Sequence, residues 1–139
     1  KKDFPDATYT VDGDAFADGR YFFKVMVSDR ASNSPEDARE GELISSPVRI
    51  DHTPPQIALK REGKDVVIQA KDASSPLRRC EVSIDAGPWV LVEAVDGITD
   101  SPEETFRMDL SSLSAGEHLV TVRVIDAAGN PGLAKLIVR

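Results

Sequence analysis

The chain has few of the residue types from which disulfides, zinc sites and hydrolytic centres are built. Its 139 residues include one cysteine, Cys80, and two histidines, His52 and His118. A single cysteine excludes an intramolecular disulfide and a zinc site made of several cysteines. Serine and cysteine hydrolases need a nucleophile, a base and an orienting group in contact, and the sequence offers no recognisable set of this kind. We therefore expect a protein that is not an enzyme.

Basic residues and long apolar runs are also scarce. Lys and Arg number 17 against 24 Asp and Glu, which gives a net charge of −7. That balance disfavours a nucleic acid or an anionic membrane as partner, because both need an excess of cations facing phosphate. The apolar runs are too short to cross a bilayer, so membrane insertion is not expected. A hydrophobic content of 40% is nevertheless enough for a packed core.

An internal repeat is present at an offset of 97 residues, which places residues 9–33 on residues 106–130. Chance gives roughly one or two identities over such a stretch at ordinary residue frequencies. The alignment has seven, and several other positions exchange one apolar residue for another. The identical pairs are Asp12/Asp109, Gly19/Gly116, Val25/Val122, Val27/Val124, Asp29/Asp126, Ala31/Ala128 and Asn33/Asn130.

The position of the repeat predicts the domain organisation. About fifty residues separate the Thr53-Pro54-Pro55 linker from Phe106 in the second copy, whereas eight precede Tyr9 in the first. We therefore expect residues 1–53 to be the C-terminal part of one module, with strands E, F and G, and residues 54–139 to be a complete module.

Period-two alternation bounded by turn residues predicts an all-β sandwich for residues 54–139. Inward-facing positions include Val66, Ile68 and Ala70, and the Glu62-Gly63-Lys64 segment is a turn. The predicted strands are 56–60, 65–71, 79–85, 89–94, 105–110, 118–125 and 134–138, with 8–11, 20–28 and 47–50 in the first module.

Three segments carry a resemblance to a known type of module. Val82 to Trp89, Asp96 to Glu104 and Gly116 to Asn130 resemble, in this order, bacterial immunoglobulin-like or fibronectin type III-like modules. The linker from Ile50 to Pro55 is similar to the junctions between such tandem modules, with His52 in place of the usual asparagine. The resemblance implies a seven-stranded sandwich preceded by the last three strands of a second such module.

The resemblance also implies a class of function. Such modules are non-catalytic structural, spacer or interaction parts of larger exported bacterial proteins, which are secreted, periplasmic or at the cell surface. We expect this one at the C-terminal end of such a protein, with a neighbouring domain of the same polypeptide as its partner. The alternative is a carbohydrate- or protein-binding adhesion module that uses its loops. Trp89 is the one tryptophan, and its indole is a candidate for stacking on a sugar ring. One aromatic residue without others beside it is a poor platform for a sugar, so core or edge packing is the favoured interpretation.

Acidic residues predict a candidate calcium site. In a sandwich of this order, the loops after strands B, C′ and F gather at one end, where the linker enters the module. Asp51, Asp72, Asp126 and Asn130 would then meet near the junction between modules, and Ca²⁺ accepts six to eight such oxygen ligands. Turn aspartates that bond their own backbone explain the same pattern. Asp96 and Asp100 are expected at the same end of this module, and Asp12, Asp14 and Asp18 at the facing end of the preceding module.

Local signals predict two further features. Ser101-Pro102 followed by Glu104, and Ser34-Pro35 followed by Asp37, are typical of capping boxes and predict one-turn helices. Tyr21 and His118 occupy the place of the corner tyrosine of such sandwiches, whose hydroxyl bonds to the preceding backbone.

Self-association is the last expectation. Residues 1–53 would present an apolar face, including Phe23, Val25 and Val27, with no second sheet of their own to cover it. We therefore expect a homodimer through residues 1–53, formed by stacking or strand exchange.

Overall fold

The computed structural model describes residues 9–139, and it is all-β apart from one short 3-10 helix, Gly13–Ala15. The all-β prediction is confirmed. The chain divides into two compact units, Lys1–Ile50 and Asp51–Arg139. No helix among residues 9–139 has the length and apolar composition needed to cross a membrane.

The strands are β1 Gly19–Tyr21, β2 Lys24–Ser28, β3 Glu40–Ile44, β4 Val48–Ile50, β5 Gln56–Glu62, β6 Asp65–Lys71, β7 Leu77–Ile84, β8 Val90–Val92, β9 Glu103–Asp109, β10 His118–Asp126 and β11 Pro131–Val138.

Two antiparallel sheets form the unit Asp51–Arg139. One has the order β5-β6-β9 and the other has the order β11-β10-β7-β8. The β5–β6 hairpin closes through Gly63, whose φ of 61° lies in the left-handed region that glycine adopts without a steric penalty. Its register pairs Glu62 with Asp65, so Gly63 and Lys64 form a two-residue turn where the sequence predicted one.

The core of this unit lies between the two sheets and follows the predicted alternation. Val66, Ile68 and Ala70 on β6 are at most 1% exposed. Val120, Val122 and Val124 line the facing side of β10 and are fully buried, in one cluster with the β6 residues. Phe106 on β9 belongs to the same cluster. Residues of both sheets thus share one core, as in a β-sandwich.

Strands β5 and β11 run side by side in the same direction. Gly132, at the start of β11, lies against Pro55, the residue before β5, and a Cβ atom on Gly132 would stand 2.2 Å from the Pro55 carbonyl oxygen. At the other end, the Arg61 guanidinium donates a hydrogen bond to the Arg139 carbonyl oxygen. The chain therefore enters this unit at one end of the sandwich and leaves it at the opposite end.

The unit Lys1–Ile50 is built from two short antiparallel pairs, β1 with β4 and β2 with β3. Strand β3 was not predicted, and the strand expected over residues 8–11 is wrong for residues 9–11, which are irregular; residue 8 lies outside the described residues. None of residues 9–50 is fully buried. Phe16 supplies a small aromatic contact, with ring centroids 5.3 Å from Tyr21 and 6.1 Å from Phe23.

The internal repeat is visible in matched hydrogen bonds. Asp12 Oδ1 accepts from the amide of Asp14 at 3.0 Å, and its counterpart Asp109 Oδ1 accepts from the amide of Ser111 at 2.7 Å. The Phe16 amide donates to the Gly13 carbonyl at 3.1 Å. Their counterparts 97 residues later, Leu113 and Leu110, make the same bond at 3.1 Å. The two copies therefore share a backbone conformation in the segment before β1 and before β10.

The helix predicted from the Ser101 capping signal is wrong. Residues 101–102 form a bend, and β9 begins at Glu103. Glu104 does reach back as a capping residue would, since its Oε1 accepts from the amide of Ser101 at 3.0 Å. Pairing with β6 takes precedence over the helix, because Ala70 and Lys71 pair with Glu104 and Glu103.

The Ser34 segment forms one isolated turn, which has the length of the predicted one-turn helix. The Ala38 amide donates to the Ser34 carbonyl at 2.8 Å, and Ser34 Oγ donates to Asp37 Oδ2 at 2.9 Å. The serine and the aspartate of the predicted capping box are thus in contact, but the turn does not continue into a second one.

Candidate functional site

Three buried aspartates meet at one end of the sandwich. Asp51 precedes β5, Asp72 follows β6 and Asp126 ends β10. One carboxylate oxygen of each lies within 4.8 Å of one from each of the others. Their exposed fractions are 7%, 4% and 0%. All three belong to the unit Asp51–Arg139. We call this group the Asp cluster.

Each carboxylate of the Asp cluster uses one oxygen to close its own turn. Asp51 Oδ1 accepts from the amide of Thr53 at 3.0 Å. Asp72 Oδ1 accepts from the amides of Ser74 and Ser75, both at 2.8 Å. Asp126 Oδ1 accepts from the amide of Asn130 at 2.8 Å. These bonds explain why aspartate suits each position, because its short side chain stabilises a turn through the backbone.

The second oxygens have unequal surroundings. Ser75 Oγ donates to Asp51 Oδ2 at 2.6 Å, and Asn130 Nδ2 donates to Asp126 Oδ2 at 2.9 Å. Asp72 Oδ2 is buried and has no hydrogen-bond partner. A buried polar atom without a partner costs about 1–3 kcal/mol, and more when it is charged. Turn closure therefore accounts for one oxygen of Asp72 and leaves the other unexplained.

Asn130 joins the cluster through its side chain. Besides its bond to Asp126, its Nδ2 donates to the Asp51 carbonyl at 2.9 Å. The structure thus brings together all four residues that the sequence singled out as a candidate metal site. Ser75 was not anticipated, because a serine in a turn carries no distinctive signal.

The other aspartates considered for the site lie outside the Asp cluster. Asp96 is exposed and closes its own turn by accepting from the amide of Ile98 at 3.1 Å, and Asp100 is exposed. Asp12, Asp14 and Asp18 belong to the other unit.

The corner residues Tyr21 and His118 each bond to the preceding backbone, as predicted, but the second copy has an imidazole where the first has a hydroxyl. Tyr21 Oη donates to the Ala17 carbonyl at 2.8 Å, and His118 Nε2 lies 2.9 Å from the Ser114 carbonyl at the equivalent position. His118 Nδ1 lies 2.6 Å from Asp85 Oδ2. Both partners accept, so a doubly protonated imidazole satisfies both contacts.

The same contacts shift the acidity of both partners. The hydrogen bond to Asp85, with that to Ser114, raises the pKa of His118 above its ordinary value. The hydrogen bond from His118, with one from the Leu119 amide, lowers the pKa of Asp85. This pair is a corner contact of the fold, and the described residues bring no nucleophile to it other than Ser114, whose Oγ is 3.4 Å from His118 Nε2.

Trp89 lies at the outer side of the four-stranded sheet and is 40% exposed. The Arg123 guanidinium lies 4.2 Å from the centroid of its ring, and Arg123 Nε donates to Glu81 Oε2 at 2.8 Å. One face of the indole is therefore covered by a cation held by an acidic neighbour. Among residues 9–139, the close aromatic ring pairs involve Phe16 and not Trp89.

Cys80 faces the core of the sandwich and is fully buried. Burial raises the pKa of its thiol to about 12, with a smaller contribution from the charge of Glu81. Because the thiolate is the reactive form of cysteine, this thiol is inert in the folded state.

No family model matches the chain, and no curated protein matches it.

Proposed function

We propose that the chain is a structural module of a larger exported bacterial protein, with the architecture of an immunoglobulin-like or fibronectin type III-like sandwich. Its sheets, β5-β6-β9 and β11-β10-β7-β8, support that architecture. So does the corner bond that Tyr21 and His118 make at equivalent positions. The role is that of a spacer, which holds a neighbouring domain of the same polypeptide at a set distance.

The observation that carries this proposal is the direction of the first and last strands of the second unit. A spacer must receive the chain at one end and release it at the other. Pro55 lies beside Gly132 at one end, and Arg61 bonds to Arg139 at the opposite end. A pull on the two termini therefore loads β5 and β11 along their length, so that they must slide past each other rather than peel apart.

Single-molecule force spectroscopy tests the spacer role. The full chain, placed between well-characterised marker domains, is expected to show one distinct unfolding event for residues 51–139. Its contour length should grow by about 300 Å, since an extended residue spans roughly 3.4 Å. Gradual extension at low force, without an unfolding event of this length, would contradict the proposal.

A second candidate function is protein–protein association through the first unit, and one observation favours it. Val25 and Val27 on β2 are 58% and 66% exposed, whereas their repeat counterparts Val122 and Val124 are fully buried. Leu43 pairs with Val25 across the hairpin and is 73% exposed. We call Val25, Val27 and Leu43 the β2–β3 face. A second copy of the chain, offering the same face, is the occupant we propose, and sedimentation equilibrium measures that association.

A further inference from the structure

We propose that the three carboxylates of the Asp cluster bind one calcium ion, and that Asn130 positions Asp126 and Asp51 through its side-chain NH2 group. This inference is independent of the spacer role, because it concerns the chemistry of one end of the second unit. Three features of the Asp cluster support this proposal: the burial of like charges, the unpartnered oxygen of Asp72 and the spacing of the carboxylates.

The Asp cluster places like charges close together in a buried position. Three carboxylates that are at most 7% exposed lie within 4.8 Å of one another. No lysine or arginine among residues 9–139 forms an ion pair with any of them. Buried charges in proteins are paired or coordinate metals, because an isolated buried charge is strongly unfavourable. A divalent cation among the three would balance most of their charge.

Asp72 Oδ2 is the one side-chain oxygen of the Asp cluster that has no hydrogen-bond partner. Asp72 is 4% exposed, its Oδ1 holds two backbone amides and its Oδ2 is buried without a partner. If the three aspartates were turn residues alone, nothing would require the second oxygen of Asp72 to be buried without a hydrogen-bond partner. A bound cation gives that oxygen a partner, so this atom points independently to a ligand.

The geometry of the Asp cluster favours calcium over magnesium. Calcium binds oxygen at 2.3–2.6 Å, so two of its ligands on opposite sides are about 4.8 Å apart. One oxygen from each of the three carboxylates lies within 4.8 Å of the other two, so a single cation can contact all three. Magnesium prefers a smaller, near-ideal octahedron and keeps most of its water. Carboxylates fixed by backbone bonds on three separate segments favour the larger and more tolerant ion.

The consequence for the fold is a connection among three segments that are far apart in sequence. The ion would bind the residue before β5, the loop after β6 and the end of β10. Asp51 is the first residue of the second unit, so the ion would secure the point at which the chain enters the sandwich.

The experiment is thermal unfolding of the full chain, followed by tryptophan fluorescence. Trp89 is the one tryptophan and lies in the second unit, so the signal reports that unit. With calcium at about a hundred times its Kd, the melting temperature should rise by about 10 °C over that in EGTA. Isothermal titration should give one calcium per chain.

Two matched variants decide whether the Asp cluster is responsible. Asp72→Asn keeps the acceptor for the two backbone amides and removes one charge, so it should abolish the calcium shift without lowering the melting temperature in EGTA. Asp96→Asn makes the same change in an exposed turn outside the Asp cluster and should retain the full shift.

The proposal is overturned if the wild-type melting temperature is equal in calcium and in EGTA. It is also overturned if Asp72→Asn retains the shift, or if magnesium at the same concentration produces a shift as large as that of calcium.

Discussion

At the scale of single residues, the corner histidine makes the second copy of the repeat sensitive to pH. Tyr21 donates one hydrogen bond from its hydroxyl, whereas His118 needs two protons to reach both Asp85 and Ser114. A neutral imidazole has one N–H and must give up one of these contacts.

The pH dependence of the second unit follows from this pair. The raised pKa of His118 means that its stabilisation is complete below the ordinary histidine value of about 6.5 and is lost as the pH rises through the folded-state pKa. The lowered pKa of Asp85 means that its stabilisation is present above the ordinary aspartate value of 3.8 and is lost as the pH falls through the folded-state pKa. The pair therefore stabilises the fold most between these two ordinary values.

The variant His118→Tyr tests this dependence by placing the residue of the first copy at the corner of the second. The wild-type melting temperature, read from Trp89 fluorescence, should fall more between pH 5.5 and pH 8.5 than that of the variant. Equal changes in the two proteins would show that the His118–Asp85 contact does not govern the dependence.

At the scale of elements, the contact between β5 and β11 depends on the missing side chain of Gly132. A methyl group there would meet the Pro55 carbonyl oxygen at 2.2 Å, closer than any real contact, so the backbone would have to move. We expect Gly132→Ala to destabilise the second unit by about 1–3 kcal/mol, measured by urea denaturation with Trp89 as the reporter.

Gly41→Ala is the matched control for that substitution. Gly41 lies in β3, and a Cβ atom built on it meets nothing within 4 Å. This variant should leave the denaturation curve of the second unit unchanged. A Gly132→Ala protein as stable as the wild type would mean that the two strands do not pack as closely as described.

Elements with a clear alternation could be predicted from the sequence, and elements set by distant contacts could not. Strand β6 has the predicted bounds, because Val66, Ile68 and Ala70 alternate between two turns. Strand β3 has no such pattern. It follows Arg39, whose amide donates to Asp29 Oδ1 at 2.6 Å and whose carbonyl accepts from the Asp29 amide at 3.2 Å. The position of the strand thus depends on a contact between residues ten apart in the sequence.

The Asp cluster was predictable for a geometric reason. The ends of strands in a known order fall at known ends of a sandwich, so the aspartates that follow β6 and end β10 could be placed together with Asp51. The burial of Asp72 Oδ2 could not be foreseen, because it depends on how the loop after β6 packs. The Asp72 amide, for example, donates to the Pro102 carbonyl at 2.8 Å.

At the scale of the whole molecule, the two units differ in how much apolar surface they bury. The second has a continuous core between its sheets, whereas residues 9–50 contain no fully buried residue. An apolar face without cover favours association. Successive side chains of a strand point to opposite faces. The exposed Val27 of β2 therefore lies on the β2–β3 face, and the exposed Met26 lies on the opposite face.

This separation provides a matched pair of variants for self-association. Val27→Asp places a charge on the β2–β3 face and should weaken dimerisation at least tenfold in sedimentation equilibrium. Met26→Asp places the same charge on the opposite face and should leave the dimer Kd nearly unchanged. A monomeric wild-type chain at micromolar concentration would contradict the association proposal, and equal effects of the two variants would contradict the choice of face.

The burial of Cys80 has a practical consequence for work on this chain. Its thiol is the one cysteine sulfur in the sequence, and the fold keeps it away from water and in its unreactive protonated form. A thiol reagent can modify it only in molecules whose sandwich has opened. The rate of modification therefore measures how often the second unit opens under native conditions, in a protein with no side chain replaced.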